Sequence, residues 1–226
     1  MNLEILDDIP FRLDNTRLLK ELHIPEHSDY AGQLIALASA AQEIARPKAA
    51  YRIAPIQARL EKTVSIDGVC FTSRVLCVNL EQANRVFAYV ATCGVELEEW
   101  SKPINGLLEN FWADHLKEKA VYAAMEYLRH HITDRYRPGR LSAMSPGSLP
   151  DWPMSQQPVL FKLLGDTEAA VGVHLTPSKL MIPTKSVSGL MFPTEETFAS
   201  CQLCPMAQCP NRKAPYDKDL FAQKYR

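Results

Sequence analysis

Residues 107–136 hold the longest helical periodicity in the chain, and the rest of the sequence must be arranged to cover one side of it. Leu108, Phe111, Trp112, His115, Leu116, Val121, Ala124, Met125, Leu128 and Ile132 fall on one broad apolar face, and Arg137-Pro138-Gly139 ends the run. His115 lies on that face and reads as a core or groove histidine. His130 and His131 sit near the C-terminal end, where a capping or solvent role is expected.

The flanking segments supply the other elements. Residues 3–24 read as a strand and then a short helix ending before Pro25. Residues 28–46 read as a helix capped by Ser28 or Asp29, with a small alanine face and Pro47 after it. Between Tyr51 and Leu80 the pattern turns to short β-like runs, TVSIDG and VCFTSRVLCVNL, with a hairpin at Asp67-Gly68. Residues 81–84 are expected to start a short helix. Residues 85–93 make a buried strand ending at Gly94, with a helix after it.

A Pro- and Gly-dense stretch, RLSAMSPGSLPDWPMSQQP, forbids a long regular element before about Ser155. Ser155 is the expected cap of a helix through Leu164, and extended segments joined by tight turns follow to Phe192. A loop this long is more often functional than idle.

With 226 residues and 46% apolar content, the chain can bury a substantial core. Lys+Arg 25 against Asp+Glu 26 leaves no basic footprint for nucleic acid and no charged patch for a membrane surface. The start, MNLEILDDIP, lacks the basic and apolar regions of a signal peptide, and no segment reaches the length of a membrane span; a cytoplasmic location is expected.

In that reducing compartment the six cysteines are expected as thiols or ligands rather than disulfides. Cys70 and Cys77 read as small buried hydrophobes. Cys201, Cys204 and Cys209 are different. Their Cys-x2-Cys-x4-Cys spacing lets one loop wrap one centre, and the proline after Cys209 is similar to the Cys-Pro end of bacterial ferredoxin motifs. A 4Fe-4S cluster and a tetrahedral zinc both accept such thiolates. A cubane cluster needs a fourth ligand, and Cys93, at a strand end before Gly94, is the expected one; His130, His131 or an exogenous ligand are alternatives. Arg212 and Lys213 read as a solvated basic pair that could instead donate to cluster sulfurs.

Two blocks carry a family resemblance. Gly172, Leu175-Thr176, Ser178, Met181, Pro183, Ser186-Val187-Ser188-Gly189 and Phe192, with Ser145-Pro146-Gly147, Asp151-Trp152-Pro153 and Gln156 or Gln157 upstream, resemble the activation domain of cobalamin-dependent methionine synthase, especially its free-standing relatives. The resemblance implies an α+β fold in which helices pack around a twisted antiparallel sheet over residues 1–198, with residues 199–226 as a cysteine-bearing tail packed on it.

It also implies reductive activation of a corrinoid carried by methionine synthase or another corrinoid protein, with a low-potential electron donor upstream and S-adenosylmethionine as methyl donor. The family loop places an arginine and a tyrosine against that ligand where this chain has Ala143 and Ser148. The expected contacts are therefore the backbone and hydroxyls of Ser145, Pro146, Gly147 and Ser148, with Lys185 and Ser186 lining the same groove. Because these cofactor-binding residues are reduced while cysteines are added, the cluster is the expected route for the electron, and zinc the alternative.

Overall fold

The 85–92 run RVFAYVAT is apolar on both alternating faces, so it has to be covered on both sides. In the computed structural model, which describes residues 2–195, 198–206, 208–209 and 212–225, it becomes the central strand of an antiparallel sheet. The strands are β1 (Glu4–Leu6), β2 (Lys48–Arg59), β3 (Thr63–Ile66), β4 (Val69–Thr72), β5 (Arg85–Thr92), β6 (Leu141–Met144) and, after a small separate hairpin of β7 (His174–Leu175) and β8 (Met181–Ile182), β9 (Ser186–Pro193). Their order is β4-β3-β2-β5-β9-β6, with β1 beside the start of β2.

One face of the sheet presents Ala49, Tyr51, Phe87, Tyr89, Ala91 and Met191, the odd positions of three strands. Helix α5 (Leu107–Tyr136) covers them through Ala124, Leu128 and Ile132. At 1.5 Å per residue it is about 45 Å long and outruns the sheet. Its N-terminal half packs instead on α1 (Asn15–Glu21), α2 (Asp29–Ile44) and α4 (Val95–Ser101), with Trp112 and Leu116 against Leu18, Leu34 and Leu97. The small residues Ala31, Ala38 and Ala41 on the buried side of α2 leave little between the helices. As the spacing predicts, Ser28 caps α2, accepting from the Ala31 amide at 3.3 Å.

The even positions, Ala50, Ala54, Val86, Ala88, Val90 and Leu190, face the other way. They are covered by α3 (Arg74–Asn79), α6 (Gln157–Leu164), α7 (Thr167–Val171), the buried Trp152 and the C-terminal tail. The α+β fold with a curled antiparallel sheet is therefore the expected one. Among the described residues no helix is long and apolar enough to cross a membrane.

Several local expectations need correction. The run VCFTSRVLCVNL is not one extended segment: β4 stops at Thr72, and Ser73 caps α3 by accepting from the Leu76 amide at 3.0 Å. Residues 81–84 form a turn, not a helix, because Arg59 reaches across to the carbonyls of Leu80 and Ala83 and fixes the chain there. Ser155 does not cap α6; it lies inside a 3-10 turn, Met154–Gln156, that leads into the helix. Leu108 and Phe111, expected on the buried face of α5, are 39% and 60% exposed, since the helix there runs past its cover. Cys70 is exposed while Cys77 is buried, because β4 alternates and turns Cys70 outward.

Candidate functional site

The proline-glycine loop leaves β6 where that strand pairs with β9, Met144 opposite Leu190. Contact there is close: a Cβ on Gly189 would lie 2.4 Å from the Met144 carbonyl oxygen and 2.7 Å from Ser145 Oγ, so only glycine lets the two strands and the loop meet. Ser145 hydrogen-bonds the Tyr89 hydroxyl, whose pKa is raised, chiefly by burial, with the Ser145 bond working the other way. Gly147 has φ +83°, and its amide donates to the Trp152 carbonyl at 2.7 Å. Ser148 bonds back to the Ser145 carbonyl through both its amide (3.2 Å) and its hydroxyl (2.6 Å). The same hydroxyl lies 3.4 Å from Ser200 Oγ, at the start of the cysteine-bearing tail.

The rest of the motif faces inward. The Asp151 carboxylate accepts from Ser73 Oγ, from the Arg74 amide at 3.2 Å and from the Val75 amide at 3.0 Å, which joins the loop to the start of α3. Trp152 is fully buried edge-on against Phe71, ring centroids 6.0 Å apart. Gln156 clips onto the main chain of Thr72 with both ends of its amide, and Gln157 donates to Ser188 Oγ at 2.6 Å. Motif residues from 151 onward thus build the frame that aims the Ser145–Ser148 loop.

Lys185 and Ser186 stand at the start of β9. Ser186 Oγ is used internally, 2.9 Å from Thr92 Oγ1 and 2.7 Å from the Pro183 carbonyl. Lys185 Nζ is 2.7 Å from Asp114 Oδ2 on α5. Alongside, Lys117 and Glu98, both nearly buried, pair at 3.3 Å, and Thr184 donates to Glu98 at 2.9 Å. Lys185 is therefore tethered to the helical layer, and its carbonyl accepts from the Cys93 amide at 3.0 Å.

Cys93, expected as a fourth ligand, is sealed among Leu34, Leu97 and Trp112, with no exposure. Its thiol is pushed up to about 12, by burial first and then by the Glu98 carboxylate. The projection expected from a strand end is therefore overturned: the chain turns at Gly94 and carries the side chain into the core.

The tail is fastened at both ends. The Phe198 amide donates to Ser142 Oγ at 2.8 Å, and Tyr225 is buried against Phe198 with its hydroxyl donating to Asn79 at 2.9 Å. Between them, Ser200–Leu203 forms a 3-10 turn bearing Cys201, and Cys201, Cys204 and Cys209 are each half-buried. Arg212 is not a solvated cation. Its guanidinium donates to the carbonyls of Cys201, Cys204 and Ala214, each at 3.0 Å, and of Met206.

The Lys213 amide donates to Cys201 Sγ at 3.4 Å. On α5 the Tyr122 hydroxyl is pushed up to about 12, by burial first and then by the Glu118 carboxylate that accepts its hydrogen bond. Among the described residues, no three Cys, His, Asp or Glu side chains converge as they would around a metal ion. A cleft of about 440 Å³ opens beside the tail, lined by Leu149, Pro150, Leu203, Tyr216 and Phe221.

Comparison with known proteins gives one family. Residues 41–203 match the activation domain of vitamin B12 dependent methionine synthase. The fold is similar to the crystal structure of the MetH reactivation domain bound to AdoHcy, at 16% identity and a TM-score of 0.61, covering 88% of this chain and 81% of that one. No curated protein matches. The family match spans more than two thirds of the chain and takes in the sheet from β2 to β9, α5 and the proline-glycine loop, and on that ground the chain belongs to the activation-domain family of vitamin B12 dependent methionine synthase.

Proposed function

We propose that this protein reactivates a corrinoid-dependent methyltransferase of the methionine synthase type, docking on the corrinoid-bearing partner and passing one electron to cobalt(II) through an iron-sulfur centre held by Cys201, Cys204 and Cys209. The observation that carries this reading is the junction of loop and tail. Ser148 of the proline-glycine loop meets Ser200, one residue before the first of three half-buried thiols.

The donor set suits a cluster in two respects. An amide already points at Cys201 Sγ, the kind of hydrogen bond that tunes thiolate-bound iron, and a guanidinium sits within the loop to offset thiolate charge. Among the described residues the three sulfurs do not converge, so this reading needs the loop to close around the metal as it binds. With Cys93 in the core, the fourth position falls to an exogenous ligand. A bound cluster would supply single electrons drawn from a low-potential donor, and each such electron takes cobalt(II) to cobalt(I).

A second reading keeps S-adenosylmethionine at the loop. It is favoured by the intact frame around Ser145–Gly147 and by the AdoHcy bound in the MetH reactivation domain. Against it, the family's arginine place is Ala143, whose β6 position pairs with Met191, and Ser148 is already occupied by Ser145 and Ser200. Neither of those two positions offers a charge-assisted contact to a ligand carboxylate.

Anaerobic analysis of iron, sulfide and zinc in the full chain separates the readings. Iron and sulfide bound by the wild type and lost in Cys201→Ala, together with reduction of a cobalt(II) corrinoid protein, support the first. A colourless zinc protein refutes it. Calorimetric binding of S-adenosylmethionine without iron supports the second.

A further inference from the structure

Cys201 and Cys204 sit at the two ends of one tight turn. Ser200–Leu203 is a 3-10 helix closed by the Cys204 amide, which donates to the Cys201 carbonyl at 3.2 Å. In such a turn the Cα atoms of residues i and i+3 lie within about 7 Å of each other, and their side chains fall on the same side. A disulfide asks for Cα atoms about 4.4–6.8 Å apart and for Cβ atoms that face each other. Pro205 has no amide hydrogen and holds the residue before it extended. The turn therefore ends at Cys204, with φ −97° and ψ 118°, and does not run on into a longer helix.

The Arg212 guanidinium donates to the carbonyls of Cys201 and Cys204, each at 3.0 Å, and so fastens both ends of the turn. The Lys213 amide donates to Cys201 Sγ at 3.4 Å, a bond that strengthens whenever that sulfur carries negative charge. Both thiols are free and half-buried, within reach of a small reagent. Cys209 lies beyond the turn.

We infer that Cys201 and Cys204 form a reversible dithiol–disulfide pair in the metal-free chain, with Cys201 as the attacking thiol, Cys204 as the resolving one and a low-molecular-weight disulfide as the oxidant. Cys201 Sγ gives its proton to solvent and attacks one sulfur of that disulfide. The small S–S bond breaks, and one small thiolate leaves and takes up a proton. Cys204 Sγ then loses its proton and attacks Cys201 Sγ; the mixed disulfide breaks, and the second small thiolate leaves and is protonated. Two cysteine thiols have given two electrons to the small disulfide, which becomes two thiols. The inference does not rest on the iron-sulfur reading. A sulfur tied up in a disulfide is no thiolate ligand, so ring closure and metal loading exclude one another.

The test uses the full chain, stripped of metal with a chelator, reduced, desalted without air and incubated with oxidised glutathione at mildly alkaline pH, as wild type, Cys201→Ser, Cys204→Ser and Cys209→Ser. After alkylation, fragmentation mass spectrometry of the tryptic peptide 186–212, which carries all three tail cysteines, reads the products, with circular dichroism for the fold. The wild-type peptide should lose two hydrogens, carry no glutathione and keep one alkylated cysteine, Cys209. Cys209→Ser should close to the same extent. Cys204→Ser should retain glutathione on Cys201, and Cys201→Ser should form no ring. Reduced glutathione in excess should reopen the wild-type ring.

The turn should raise the ratio of closed ring to glutathione adduct roughly tenfold over the same chain in urea, since holding the two thiols together favours the intramolecular step. A wild type that carries glutathione on both Cys201 and Cys204, that closes through Cys209, or that shows the same ratio in urea overturns the inference; these wild-type results need no variant to fold. Failure to close the ring leaves the iron-sulfur reading untouched, and failure to bind iron leaves this inference standing.

Discussion

Replacing Asp151 by alanine is the sharpest test of whether the Asp-Trp-Pro part of the motif is frame or ligand site. Its carboxylate accepts three hydrogen bonds at the start of α3, from Ser73 Oγ and from the amides of Arg74 and Val75. Bonds to a charged acceptor are worth about 1.5–3 kcal/mol each, but the hydroxyl can rotate to water and the effects overlap, so the expected loss is about 3 kcal/mol. For a chain of this size that is roughly 6–12 °C in Tm.

Asp166 is the internal control. It caps α7 with a single exposed bond to the Ala169 amide at 2.9 Å, and Asp166→Ala should cost only about 1 kcal/mol. Asp151→Asn keeps an acceptor without the charge and should fall between. Urea unfolding followed by far-ultraviolet circular dichroism measures all three. If Asp151→Ala costs no more than Asp166→Ala, the inward-facing account of the motif is wrong and Asp151 has to be reconsidered as a ligand contact.

Other outcomes follow from the same geometry. Cys93 keeps its proton in the folded chain to about pH 12, whereas an unfolded thiol releases it near 8.5; the stability tied to the buried thiol is complete below that lower value and is lost as pH rises toward 12. The full effect is about 5 kcal/mol, and Cys93→Ala should flatten the alkaline limb of a stability–pH curve. Cys93→Ala should also leave iron content at the wild-type level while Cys201→Ala removes it, which metal analysis of the two variants reads directly. In native protein at pH 8, iodoacetamide should label Cys70 and the tail cysteines before Cys77 and Cys93, with mass spectrometry giving the order. Lys185→Met should cost less than about 1 kcal/mol, since its pair with Asp114 is solvent-facing on the aspartate side.

Much of the scaffold was legible because it rests on local rules. The periodicity of residues 107–136 matches α5 end to end, Ser28 caps α2, and Asp67-Gly68 turns the β3–β4 hairpin with φ values of 46° and 79°. What escaped depended on partners distant in sequence. Helix α3 hid inside an apolar run because valine and cysteine read as strand; the overlooked signal was Ser73, which becomes a cap once Asp151 approaches from 78 positions away. Cys93 was misjudged because periodicity does not say which way a chain turns after a strand. Arg212 was misjudged because composition cannot show an arginine satisfying carbonyls on both sides of a loop. The proline-glycine loop was located by resemblance, but that Ser148 would be engaged by the tail is a matter of tertiary arrangement alone.

Phe198 and Tyr225 are both buried, and they pin the two ends of the thiol-bearing segment to the body of the protein. A segment moored in this way is no swinging arm. Whatever exchanges electrons or metal with it must travel to a fixed berth, so the geometry of encounter is decided by the visitor's shape and approach rather than by the reach of a tether.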